Sequence, residues 1–134
     1  METDLIIKVT DEAHQHINQA LITKNAAAYV AYFDDNLRYV ESNGEVLNKK
    51  QMGIEIERYF KKTNEIDTAH YRIKSFFDGE IFIEKIARKS VIQIKKLLFF
   101  AKKQTIQTEE MYHWKNIKGK WKIINIEITL EEKY

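Results

Sequence analysis

The sequence predicts an α+β domain: three N-terminal helices packed on one face of a curved, mainly antiparallel sheet. Three observations predict it. Apolar residues recur at helical spacing in the first half, as in Ala13, Ile17, Ala20, Leu21 and again in Met52, Ile56, Tyr59, Phe60. Period-two alternation then takes over from about His70, broken by the turn dipeptides Asp78-Gly79 and Lys118-Gly119. The chain of 134 residues has no proline, linker or repeat to divide it, so residues 1–134 are expected to form a single domain.

The elements follow in order. Thr10-Asp11-Glu12 reads as an N-cap followed by first-turn acids, opening a helix to about Thr23. Asn25 caps a second short helix, expected over Ala26–Phe33. Leu37, Tyr39 and Glu41 alternate with Arg38 and Val40 as a strand. Asn43-Gly44 tolerates positive φ and turns the chain into a brief strand at Glu45–Leu47. Asn48 with Gln51 forms a capping box that starts the third helix. Beyond it come a strand around Tyr71–Phe77 and another from Ile81 to about Lys95, whose alternation slips near Lys85–Ser90 as at a bulge. Gln104–Ile117 and Lys120–Leu130 form a last hairpin. The apolar run Leu97–Phe100 reads as strand, as a loop over a pocket mouth or partner site, or, most weakly, as a membrane contact.

Composition narrows the function classes. There is no cysteine, which excludes disulfides and thiolate chemistry. The apolar run Leu5–Ile7 is too short for a signal peptide, and no stretch approaches the ~20 apolar residues of a membrane span, so a cytoplasmic location is expected. Residues 1–80 carry 10 Lys/Arg against 14 Asp/Glu, whereas residues 81–134 carry 12 against 6. Between Lys85 and Lys103 there are seven bases and no acid. Such a run could track a phosphate backbone, but a solvated strand face blunted by lysines is the favoured reading, and nucleic acid is not an expected partner. No cofactor or metal site is expected: His14 and His16 are two apart on a helix, and His70 and His113 lie on different strands.

The last strand places Trp121 and Ile123 on one face and Ile124, Ile126 and Ile128 on the other. A sheet apolar on both sides needs a second cover, so a homodimer through the Ile124–Ile126–Ile128 face is expected.

The element order and several motifs resemble a known superfamily. Helix–helix–strand–hairpin–helix–meander is similar to the nuclear transport factor 2-like (cystatin-like) superfamily, whose cone fold is shared with ketosteroid isomerase and SnoaL-like polyketide cyclases. Leu37-x-Tyr39-x-Glu41-Ser42-Asn43-Gly44, with Lys49, resembles a branch related to the calmodulin-dependent kinase II association domain. Trp114-x-x-x-x-Gly119-x-Trp121-x-Ile123 matches the final hairpin of that branch. The resemblance covers roughly residues 10–130 and implies a cone with a pocket. That branch commonly carries histidine at the place of Glu41 and glutamine at that of Glu127. The helix-1 tyrosine of ketosteroid isomerase would fall near Ile17 and its strand aspartate near Val40 or Glu41. Only Glu41 remains as a base, and steroid isomerisation is not expected.

If the cone is hollow, its polar residues are the candidates. Glu41, His113 and Glu127 are the candidate acid–base residues, since carboxylates and an imidazole in an apolar pocket suit proton transfer. Tyr39, Met111, Trp121, Ile123 and Asn125 share strand faces with them and are the candidate ligand-binding residues. Each also has a bland reading as a solvated or packed sheet residue. Three functions stay open: a homodimeric pocket for a small, largely apolar ligand; a SnoaL-like isomerase, dehydratase or cyclase; and an oligomerisation or protein-binding module with a filled cone.

Overall fold

The computed structural model describes residues 2–97 and 100–134. Its elements are α1 (Glu2–Thr23), α2 (Ala26–Tyr29), β1 (Phe33–Val40), β2 (Val46–Leu47), α3 (Lys49–Lys62), β3 (Thr63–Asp78), β4 (Ile81–Leu97), β5 (Phe100–Ile117) and β6 (Lys120–Lys133). The strands form one sheet in the order β2-β1-β6-β5-β4-β3. Every pairing is antiparallel except β1 with β6, where Phe33 lies beside Ile123 and Val40 beside Glu127. The role expected for the Leu97–Phe100 side chains falls outside the described residues.

Helix α1 starts eight residues earlier than Thr10. Thr10 is not a cap but a buried mid-helix residue, whose hydroxyl donates back to the Ile6 carbonyl at 2.9 Å. Asn25 does cap α2, accepting from the Ala28 N–H at 3.0 Å. That helix stops at Tyr29, because the chain must already be extended at Phe33 to pair with β6. The capping box of α3 is present in both directions, at 2.8 Å each, and Met52, Ile56 and Phe60 are buried on its inner face.

On β5, Thr108, Glu110, Tyr112 and Trp114 form the inward row. On β4 the matching row is Phe82, Glu84, Ile86, Arg88, Ser90 and Ile92, since these positions pair across the ladder and are buried at nearly every step. The irregularity expected on β4 near Lys85–Ser90 lies instead across the ladder on β3, between Arg72 and Lys74, opposite Ile86 and Lys85. The basic run is thereby divided: Arg88 turns inward, while Lys85 pairs with Glu109 at 3.4 Å.

A second irregularity changes the reading of the last strand. His113 pairs with Asn125 and Trp114 with Ile123, so Ile124 is the extra residue of a bulge and the phase of β6 shifts. Ile123, Ile126 and Ile128 consequently all join the core beneath the helices. The face assigned to a partner from Ile126 and Ile128 is therefore already covered by the chain itself. Among the described residues, no helix is long and apolar enough to cross a membrane.

Candidate functional site

Two polar networks are built into the concave face of the sheet. The first centres on Glu84, which is fully buried. Its Oε1 accepts from Trp114 Nε1 at 2.9 Å and contacts His14 Nε2, and its Oε2 accepts from Arg72 Nε at 3.0 Å. Arg72 continues outward, donating from Nη2 to Thr10 Oγ1 at 3.0 Å and pairing with Asp11 at 2.6 Å. Burial pushes the Glu84 carboxyl up, but His14, Trp114 and Arg72 together hold it below the usual carboxylate range. The His14 ring lies edge-on to Tyr112 and Trp114, and its Nδ1 is buried without a partner among the described residues.

The second network lies four residues further along, from Glu84 to Arg88 on β4 and from Trp114 to Glu110 on β5. Arg88 Nε reaches the Glu110 carboxylate at 3.3–3.4 Å. Glu110 also accepts from Thr108 and Tyr112, each at 2.6 Å. Arg88 Nη1 donates to Asn18 Oδ1, and the Asn18 amide meets His70 Nδ1 at 2.7 Å. Burial opposes both charges of the pair. Arg88 nevertheless keeps the Glu110 carboxyl low, and Glu110 keeps the guanidinium pKa above its ordinary value. Arg88 Nη2 is buried with no acceptor among the described residues. Desolvation by burial, followed by the neighbouring His14 and Arg88, lowers His70 to about 4.

Arg88 and Glu110 form part of the wall of a half-open cavity of about 490 Å³ between α1, α2, α3 and the sheet. Ile17, Leu21, Met52, Ile56 and Ile106 supply its apolar surface. Tyr29, Tyr39 and Tyr59 also line it, and none of their hydroxyls has a hydrogen-bond partner among the described residues. The cavity is bordered by three further acids, Glu41, Glu55 and Glu131, and three bases, Arg58, Lys62 and Lys133. Burial raises all three phenol pKa values, that of Tyr59 to about 12. After burial, the Glu110 carboxylate is the next cause at Tyr29, and it also contributes at Tyr39.

The residues singled out from the sequence are divided by this geometry. Tyr39 and Glu41 line the cavity. Burial first, and then Glu45, raise the Glu41 carboxyl. Met111, His113, Asn125 and Glu127 occupy the alternate, outward positions of β5 and β6, with His113 Nδ1 and the Asn125 amide 3.3 Å apart. Burial lowers the His113 pKa, partly offset by Glu127 and Asp78. Trp121 is half-buried near Phe77, and Ile123 is fully buried in the core. Glu41 and Glu127 therefore lie on opposite faces of the sheet, and Glu41, His113 and Glu127 do not converge.

Sequence reasoning missed Arg88, Glu110, Tyr112, Glu84 and His14. The signal was present in the inward row of β4, where Glu84 and Arg88 interrupt Phe82, Ile86 and Ile92 at period two. A charge inside an apolar row predicts a buried partner. Among the described residues, no group of three or more His, Cys, Asp or Glu side chains could hold a metal ion.

No known family's sequence profile matches the chain, and no curated protein does. Solved structures do. A nuclear transport factor 2-like superfamily protein from Salmonella enterica superposes with a TM-score of 0.80 at 10% identity, over 94% of this chain and 91% of the other. A scytalone dehydratase-like protein from Novosphingobium aromaticivorans gives 0.83 at 11% identity, over 99% and 91%. A calcium/calmodulin-dependent protein kinase II association-domain-like protein from Xanthomonas campestris gives 0.65 at 17%, over 89% and 83%. The chain has the nuclear transport factor 2-like cone fold, as its motifs suggested. At these identities the likeness is one of fold.

Proposed function

We propose that the cone binds a small, largely apolar ligand, with Tyr39 and Glu41 in the binding wall beside Arg88 and Glu110. One observation carries this reading: a cavity of about 490 Å³ with an apolar wall and phenol groups that find no partner among the described residues. A cone kept only for assembly would gain by filling that space, since each void costs packing energy. N-Phenyl-1-naphthylamine, an uncharged fluorophore, tests it. One-site binding with enhanced emission is expected for the wild type. Ile106→Trp, which fills the cavity from β5, should abolish it while leaving circular dichroism unchanged. No enhancement in the wild type, or equal enhancement in both proteins, refutes the reading.

Acid–base catalysis of the isomerase, dehydratase or cyclase type is the second reading. It rests on Glu41, a cavity carboxyl whose pKa is raised by burial. The scytalone dehydratase-like neighbour is consistent with it. Glu41→Gln should then abolish turnover of a true substrate while preserving fluorophore binding; undiminished turnover removes this reading. The outer sheet face is the proposed homodimer contact. Ala69, Tyr71, Ala87 and Leu130 surround a depression of about 280 Å³ there, and Tyr71 and Leu130 are exposed.

A further inference from the structure

We infer that the ligand of the cone is an uncharged molecule bearing an oxygen acceptor, a ketone-like group on an apolar body, and that the cavity rejects carboxylates. The inference rests on the cavity reading above and specifies the chemistry of its occupant. An arginine in a pocket wall ordinarily suggests an anionic ligand, because a guanidinium pairs well with carboxylate. Here that charge is already paired with a carboxylate, and only Nη2 lacks an acceptor among the described residues. Arg88 Nε is 3.3–3.4 Å from Glu110, and both side chains are more than nine-tenths buried. Glu110 in turn takes hydrogen bonds from Thr108 and Tyr112, so it is fixed as a carboxylate and has no reason to yield.

The rim does not alter the balance, since its three acids and three bases cancel. An anion entering the cone would leave a net negative charge beside Glu110 in a poorly solvated space. Two of the phenols that line the same space report the same field: Glu110 adds to burial in opposing ionisation of Tyr29 and Tyr39. What the cavity offers instead is neutral donors. Tyr29, Tyr39 and Tyr59 have hydroxyls without partners among the described residues, and each can donate to a carbonyl oxygen without a change of charge.

Three matched probes test this by calorimetry at pH 7.5: 2-acetylnaphthalene, 2-naphthoate and 2-ethylnaphthalene. The ketone is expected to bind at least tenfold more tightly than the carboxylate and severalfold more tightly than the hydrocarbon. In Tyr29→Phe/Tyr39→Phe/Tyr59→Phe the advantage over the hydrocarbon should disappear, with hydrocarbon binding retained. Glu110→Gln, if it folds, should release the Arg88 charge and improve naphthoate binding at least tenfold. Naphthoate equal to or tighter than the ketone in the wild type overturns the inference. So does N-phenyl-1-naphthylamine binding with no ketone preference, and so does a ketone advantage that survives the triple phenylalanine change. If neither the fluorophore nor any probe binds at millimolar concentration, the cavity reading itself fails and this inference falls with it.

Discussion

Replacing Glu84 with glutamine should cost about 4–6 kcal/mol of folding stability, and the figure follows from its three donors. Hydrogen bonds to a charged group contribute ~1.5–3 kcal/mol each, against ~0.5–1.5 for neutral pairs. Removing the charge therefore loses roughly 1 kcal/mol at each of Arg72, Trp114 and His14, all of which contact this carboxylate. Glutamine also exchanges one acceptor oxygen for an NH2 group. That group must face either the Arg72 N–H or the Trp114 and His14 side, and donor against donor leaves buried groups unsatisfied at a further ~1–3 kcal/mol. Arg72 keeps Asp11, so its own charge is not stranded. Against a typical total of ~5–15 kcal/mol the variant should still fold. Urea denaturation at pH 7, followed by tryptophan fluorescence and far-ultraviolet circular dichroism, measures the loss. His14→Phe is the internal comparison. It removes one donor but also the unpartnered Nδ1, and should cost clearly less. A loss under ~1 kcal/mol for Glu84→Gln, or a larger loss for His14→Phe, would refute the reasoning.

Stability should also fall with acid in a defined window. His70 is lowered to about 4, so the unfolded chain binds the extra proton first. Its contribution is complete above the unfolded value of ~6.5 and erodes as pH falls from there toward 4. After allowance for solvent screening of a half-buried ring, the effect is ~1–2 kcal/mol, and His70→Gln should flatten the urea midpoint across that window. Glu84 and Glu110, both held low, lose their contributions below the ordinary carboxylate range, so the acid limb should steepen there in the wild type. Ile126→Lys places a charge in the core and should prevent stable folding, as a collapsed thermal transition would show; near-wild-type stability would contradict its burial. Tyr71→Asp, on the exposed outer face, should shift light-scattering mass from two subunits toward one without changing the melting curve. An unchanged mass, or a monomeric wild type, removes the proposed contact.

Local signals proved good guides to local structure. The Asn48–Gln51 capping box, the Asn43–Gly44 turn and the alternating rows of β5 depend on neighbours within a few residues, and all were legible. The start of α1 was not, because Thr10-Asp11-Glu12 has the composition of a cap while Thr10 answers to Arg72, 62 residues away. The phase of β6 was hidden for a related reason. A bulge at Ile124 is set by pairing with His113 and Trp114, and one inserted residue moves the following side chains to the other face. The candidate site suffered most. Glu127 and His113 looked poised in a linear reading, yet they fall on outward positions. Arg88 was counted among solvated lysines when its ladder position turns it into the core.

The parallel pairing of β1 with β6 has a consequence for how the chain reaches this form. Phe33 lies beside Ile123, ninety residues later, and among the described residues β1 otherwise pairs in the sheet only with the two-residue β2. During synthesis, which delivers the N-terminal part first, β1 must wait for nearly the whole meander before its long edge is satisfied. Until then the apolar side of α1, with Ile6, Ala13 and Ile17, has no β6 isoleucines beneath it. A topology dominated by such distant contacts folds slowly and exposes sticky intermediates. Chains halted before Lys120 should therefore be recovered as aggregates or as chaperone clients, whereas release of the final hairpin commits the whole sheet at once.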